Sequence, residues 1–250
     1  MAPMAADGLG TLVAGNLGVR MCGRYVINAE PDDLVGYFRV DHVMTERLEP
    51  SYNVAPTDPV YAVAEHRGSR QLGSFRWGLI PHWSAGRKGP LNINARAETV
   101  ATKPAFRDSV RRRRCLLPAT GFFEWGHTAA GKHPYFVRMA DDSPMAFAGI
   151  WSAWKDPETE EWVRSAAIIT TIANEGLSPI HTRMPVILEP DHWDLWLDRD
   201  VRSAGAIESL LGPLAGSKLT WYPVSRQVNS VRNNLPTNII PQSHLEPTDS

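Results

Sequence analysis

Residues 115–151, CLLPATGFFEWGHTAAGKHPYFVRMADDSPMAFAGIW, carry four short runs rich in β-branched and aromatic residues, broken by Gly, Pro, Asp and Ser. The runs are Cys115 to Leu117, Gly121 to Trp125, Tyr135 to Met139 and Met145 to Trp151. Each is strand length, and the punctuation is that of turns, so they predict consecutive antiparallel strands. Gly126 and Gly131 make His127 to His133 read as a long hairpin loop.

The same signature extends in both directions, at Arg24 to Ile27, Val60 to Glu65, Leu72 to Leu79, Trp162 to Thr170, Pro185 to Leu188 and Leu219 to Pro223. Helical patterns are fewer: Pro31 to Val40, Lys103 to Arg113, Asp191 to Leu197, and Val201 to Leu211 stopped by Gly212-Pro213. Helices inserted irregularly among strands indicate α+β: one domain with a mainly antiparallel, curved or barrel-like β-sheet core and a few peripheral helices. The 250 residues suit one large domain, with no linker and no internal repeat. The expected division is 1–21 as a leader or mis-assigned start, 22–240 as the folded domain and 241–250 as a polar tail.

Charge and cysteine content narrow the class. A net charge of -1 excludes a globally basic surface, so any nucleic-acid contact must depend on a local groove. Two cysteines, Cys22 and Cys115, form neither a disulfide framework nor a zinc ribbon, which fits a reducing, cytoplasmic setting. No stretch approaches the roughly 18 apolar residues of a membrane span.

Met21-Cys22-Gly23-Arg24-Tyr25 is the chemically distinctive string. If Met21 is removed, Cys22 carries a thiol and a free α-amine on one skeleton. An α-amine with pKa of about 7.7–8.0 is roughly one-fifth neutral near pH 7.3, against about a thousandth of a lysine. Amine and sulfur together suit capture of an aldehyde, first as an imine and then as a five-membered thiazolidine. Residues 1 to 20 lack the charged n-region of a secretory signal. An upstream start assigned in error is the favoured reading of them; a self-removed propeptide and an ordinary tail are the alternatives.

Three further strings set single polar groups on constrained backbone. Glu124, between Phe123 and Trp125, should point away from both rings, into solvent or into a half-buried pocket that raises its pKa. His181 has the ordinary pKa of a proton shuttle, although a lone histidine is commonly structural. Asn94 and Arg96 alternate in a short strand and would share one face. Trp77 and Trp83 could stack exposed bases, with core packing the ordinary use of any one tryptophan. The run Arg111 to Arg114 either attracts phosphates or is the solvated end of a helix. Cys22, Glu124 and His181 are acceptable metal ligand types without diagnostic spacing, and no cofactor is expected.

Together with Tyr52-Asn53-Val54-Ala55-Pro56-Thr57 and Arg76-Trp77-Gly78-Leu79-Ile80-Pro81, these strings resemble, in order, the SRAP family, the SOS response-associated peptidase-like proteins that act as abasic-site processing proteins. The resemblance covers Met21 to about Pro241. It implies that the cysteine after the initiator methionine cross-links to the ring-opened aldehyde of an abasic site in single-stranded DNA. By the same resemblance Asn94 orients the Cys22 end, Glu124 assists ring opening and proton transfer, and His181 acts on the sugar hydroxyl or the imine. Arg24, Asn53, Trp77, Trp83, Arg96 and Arg183 would hold phosphates or stack near the lesion. Strand cleavage by β-elimination and self-processing are implied side activities, and the expected partner is abasic single-stranded DNA bound by a monomer. Two other classes stay open on the residues alone: an amino-terminal-nucleophile hydrolase or amidotransferase, and a non-covalent single-strand binder.

Overall fold

The computed structural model describes residues 22–86, 89–128, 131–201 and 203–242. The expected leader, 1–21, and 243–250 of the expected tail lie outside the described residues. Pro241 bridges Val224 and the Gln242 N–H donates to the Pro223 carbonyl at 2.9 Å, so the fold runs two residues past the expected boundary.

Among the described residues thirteen strands make two sheets: β1 (Tyr25–Ile27), β2 (His42–Val43), β3 (Ser51–Val54), β4 (Pro59–His66), β5 (Ser69–Trp77), β6 (Asn94–Arg96), β7 (Arg114–Ala119), β8 (Gly121–Thr128), β9 (Gly131–Met139), β10 (Met145–Lys155), β11 (Trp162–Ile172), β12 (Arg183–Pro185) and β13 (Leu219–Pro223). Four short α-helices among the described residues lie around them: α1 (Pro31–Phe38), α2 (Arg107–Arg112), α3 (Trp193–Leu197) and α4 (Ala204–Glu208). The smaller sheet has the order β13-β9-β8-β1-β3. In the larger one, β11-β10-β7-β4-β5 close on themselves, because β11 returns to β5 in parallel at Ser165↔Arg76 and Ala166↔Trp77. The α+β, barrel-like expectation describes this architecture.

β11 shows why closure suits this sequence. Residues Ser165 to Thr171 are all buried, so the strand reads as a continuous small and apolar run instead of alternating. It needs that composition because it also pairs with β10, β6 and β12. Tyr25, Trp77, Phe147 and Phe122 fill the space between the sheets. Tyr25 meets Trp77 and Phe147 edge-on at 5.1 and 5.8 Å between ring centres.

β8 has a core on each side. Phe122 packs into the main core, whereas Phe123 packs with Val26, Phe136, Val224 and Val228 in a second, smaller one. Gly121 lies opposite Val26, and a Cβ there would come within 2.4 Å of the Phe136 ring and 2.5 Å of the Val137 carbonyl. Only glycine lets β1, β8 and β9 approach this closely.

Several expectations need correction. His127 to His133 is no long loop: β8 and β9 stay paired out to Thr128↔Gly131. α1 ends at Phe38 because Arg39 takes a left-handed φ of 54°. The Lys103 to Arg113 helix shrinks to α2, since Lys103 to Phe106 form turns. The Val201 to Leu211 helix shrinks to α4, and in place of a strand at Pro185 to Leu188 the ladder is β12, with Ile187 joined to Phe147 by an isolated bridge. The arginine run splits by function. Arg114 is 3% exposed and donates to the carbonyls of Trp196, Val110, Arg111, Asp198 and Val201, tying α2 to the end of α3, while Arg111 and Arg112 stay exposed.

Candidate active site

Antiparallel register brings Cys22 to Glu124. β1 pairs with β8 at Tyr25↔Phe122, and extending that register by two sets Gly23 against Glu124. The Cys22 backbone nitrogen donates to Glu124 Oε1 at 2.8 Å, although 102 positions separate the two residues. Cys22 itself is fully buried, with φ of 39°. β6, held in parallel against β11, supplies Asn94, whose Nδ2 donates to the Cys22 carbonyl at 3.5 Å.

Glu124 is 3% exposed, so the pocket reading holds and the solvent-facing one does not. Burial pushes its carboxyl up to about 7, against opposing hydrogen bonds from the Cys22 and Trp125 backbone and the field of Lys132. A carboxyl at that position can take and return a proton near neutral pH. Burial, and secondarily the Glu124 charge, holds the Cys22 thiol well above its ordinary value. The resting sulfur is therefore a neutral thiol.

His181 lies beside β12 and is half-buried. Its Nδ1 lies 3.1 Å from the Arg183 backbone N–H and 3.2 Å from the Arg183 carbonyl, so it accepts from the first when bare and donates to the second when protonated. Burial lowers its pKa, and Lys132 and Arg183 lower it further while the Arg183 backbone contact opposes them. His181, Arg96, Trp125, Lys132 and Arg183 line an open cleft of about 470 Å³. Cys22 and Glu124 are not among its lining residues. Arg183 is braced by Glu98 in a two-pronged ion pair and by the Thr170 carbonyl at 2.7 Å.

The nucleic-acid contacts expected from sequence divide. Trp77 has no exposed surface, and its indole N–H donates to the Ile93 carbonyl at 3.1 Å, so it cannot stack on a base. Asn53 is 2% exposed and its Nδ2 donates to the carbonyls of Val228, Ser230 and Asn233, so it shapes the chain where it was expected to hold phosphate. Arg24 bonds Asn53 Oδ1 at 2.8 Å and the Val228 and Asn229 carbonyls, against the same segment. Trp83 is 59% exposed, and Arg96 is exposed on the same strand as Asn94. Among the described residues no group of three or more His, Cys, Asp and Glu side chains could hold a metal.

Sequence reading missed Lys132, the one lysine whose charge acts on both Glu124 and His181 in the shifts above. It had been assigned to a loop. The signal was the even spacing of Trp125, His127, Lys132 and Pro134 about the turn, which pairs His127 with Lys132 once the hairpin is extended.

Residues 21–231 match the family described as SOS response associated peptidase (SRAP). The chain is 38% identical over 227 residues to the abasic site processing protein YoqW of Bacillus subtilis, covering 90% of this chain and 100% of that one. It is 32% identical over 218 residues to the abasic site processing protein YedK of Escherichia coli, covering 85% and 96%. An X-ray structure of a protein from Bacteroides thetaiotaomicron superposes with a TM-score of 0.79 at 28% identity, covering 88% of this chain and all of that one.

Proposed function

The chain belongs to the SOS response associated peptidase (SRAP) family, and from that premise we propose that it processes abasic sites in single-stranded DNA by covalent capture on Cys22. The observation that carries the reading is the 2.8 Å contact between the Cys22 nitrogen and the buried Glu124 carboxyl. In the 250-residue chain Met21 makes that nitrogen an amide, so the reading requires cleavage before Cys22.

The freed amine adds to the C1′ aldehyde of the ring-opened sugar, giving a carbinolamine. Glu124 returns a proton to the departing hydroxyl, water leaves and an imine forms. Sulfur then adds to the imine carbon and its proton passes to the nitrogen, closing a thiazolidine; one water is lost overall and no oxidant is consumed. The high thiol pKa supports this order, with amine first and sulfur second. Asn94 holds the Cys22 carbonyl, and His181 serves the sugar hydroxyl or the imine. The imine also makes the neighbouring C2′ proton acidic, so β-elimination of the strand is the competing outcome that ring closure suppresses. In self-processing, water adds to the Met21 carbonyl carbon, the Met21 acyl group leaves as a carboxylic acid, and Glu124 passes a proton to the departing Cys22 nitrogen; the 2.8 Å contact supports that role.

The test is denaturing electrophoresis after incubation with an abasic single-stranded oligonucleotide. Cys22→Ala is expected to lose the adduct. Cys115→Ala keeps it, because Cys115 is buried and its thiol is pushed far up by that burial. A heat-stable adduct formed by Cys22→Ala removes Cys22 as the nucleophile.

A further inference from the structure

A second surface, away from Cys22, has the composition of a strand-binding groove. Met44, Phe75, Trp151, Trp162, Arg113 and Arg164 line an open trough of about 670 Å³ across β4, β5, β10 and β11. Its lining includes the small residues Ala64, Gly73 and Ala153. At Gly73 a Cβ would lie 3.2 Å from the Phe75 ring and 3.9 Å from the Arg164 guanidinium, so glycine keeps this part open. Trp162 is 68% exposed, and Trp151 meets Phe75 edge-on at 5.6 Å with Arg113 over its ring at 5.8 Å. An adjoining cleft of about 400 Å³, formed by His82, Asp108, Arg111 and Arg112, shares Arg113 and Arg199 with the trough.

Charge names the occupant. Five arginines, Arg111, Arg112, Arg113, Arg164 and Arg199, line the two hollows against two carboxylates, Asp108 and Glu65, in a chain whose net charge is -1. None of the five forms an ion pair within 4.0 Å among the described residues. Cations without an ion pair among the described residues, beside the exposed indole of Trp162 and the partly buried one of Trp151, match a polyanion with flat faces, which is a single-stranded nucleic acid stacking bases on tryptophan and setting phosphates on arginine. An acidic peptide would satisfy the arginines and leave Trp162 exposed.

We propose that this trough and cleft form a second binding site for single-stranded DNA, one that holds the strand at a distance from the reacting sugar. Arg164 and Ile168, the partner of the Asn94 that holds the Cys22 carbonyl, are four residues apart on β11, or roughly 13 Å at about 3.3 Å per residue. A strand must therefore extend beyond the lesion nucleotide to reach the trough. The inference rests on the reading above only for the identity of the polymer.

The test compares the parent with Arg164→Ala/Arg199→Ala and with Trp162→Ala, all at exposed positions. Anisotropy is read with labelled oligothymidylate of about 25 nucleotides, and adduct formation with an abasic oligonucleotide of about 7. Expected are binding of the long strand about tenfold weaker for each variant, a salt slope shallower by about 1.4 for the double variant, and an unchanged adduct rate on the short one. Unchanged affinity and slope for the long strand overturn the proposal, as does polyglutamate binding the parent as tightly as oligothymidylate. If no adduct forms on the short oligonucleotide while the long-strand losses occur, the Cys22 reading fails and the trough stands.

Discussion

Glu124→Gln should change the pH dependence of folding in a direction fixed by the burial of that carboxyl. The folded group titrates near 7 against an ordinary value of 4.5, so the native state binds its proton more tightly than the unfolded chain does. Below about pH 4.5 both states are protonated and the group costs nothing. As pH rises from there to 7, the unfolded state loses its proton first, and stability falls by about 1.4 kcal/mol per pH unit. Above 7 the loss is constant at about 3 kcal/mol. Glutamine is isosteric and its Oε1 can still accept the Cys22 N–H, but its amide brings buried donors of its own. That penalty is independent of pH, so the informative quantity is the stability difference between variant and parent at pH 4 and at pH 8. The difference should move toward the variant by about 3 kcal/mol over that interval, equivalent to roughly 6–12 °C in Tm for a chain of this size. Urea melts of the uncleaved protein at intervals of half a pH unit measure it. A difference that stays flat from pH 4 to pH 8 would falsify the claim that a buried carboxyl faces Cys22.

Other perturbations separate structural roles from contacts with DNA. Trp77→Ala should cost about 3–5 kcal/mol in denaturant melts, the usual range for emptying a core aromatic site, whereas Trp83→Ala should leave stability within about 0.5 kcal/mol and weaken single-strand binding. Asn53→Ala strands the carbonyls of Val228, Ser230 and Asn233, and should cost at least about 2 kcal/mol while exposing residues 226–239 to limited proteolysis. Lys132→Ala removes a cation that lowers both Glu124 and His181, so both limbs of the pH–rate profile should move to higher pH; an unmoved profile separates Lys132 from the reacting groups.

The hairpins were legible because turn residues and β-rich runs are local signals, and β8, β10 and β13 begin where their runs begin. The face that Glu124 presents was legible only as an alternative. Period two sets it opposite Phe123 and Trp125, but both faces of β8 turn out to be covered, and that depends on strands distant in sequence. β2 and β3 are two and four residues long, too short for a period to register, whereas β6 was legible from the alternation of Asn94 and Arg96. Closure of β11 onto β5 left no mark beyond an unalternating run, which also fits a buried helix segment. Trp77 falls inside the expected strand Leu72 to Leu79, but its full burial depends on β11 closing beside it at Ala166, a contact some ninety residues away that no local pattern records.

The contact between Cys22 and Glu124 also sets a clock. It depends on β1 pairing with β8 across about a hundred residues, and the barrel closes only when Ser165 reaches Arg76. Contacts this distant form late in folding. A ribosome-bound chain that has not yet released residue 124 holds Cys22 without its carboxyl. On the proposed reading, cleavage before Cys22 therefore waits for a finished fold, and a paired amine and thiol are not set loose among cellular aldehydes while the chain is still being made.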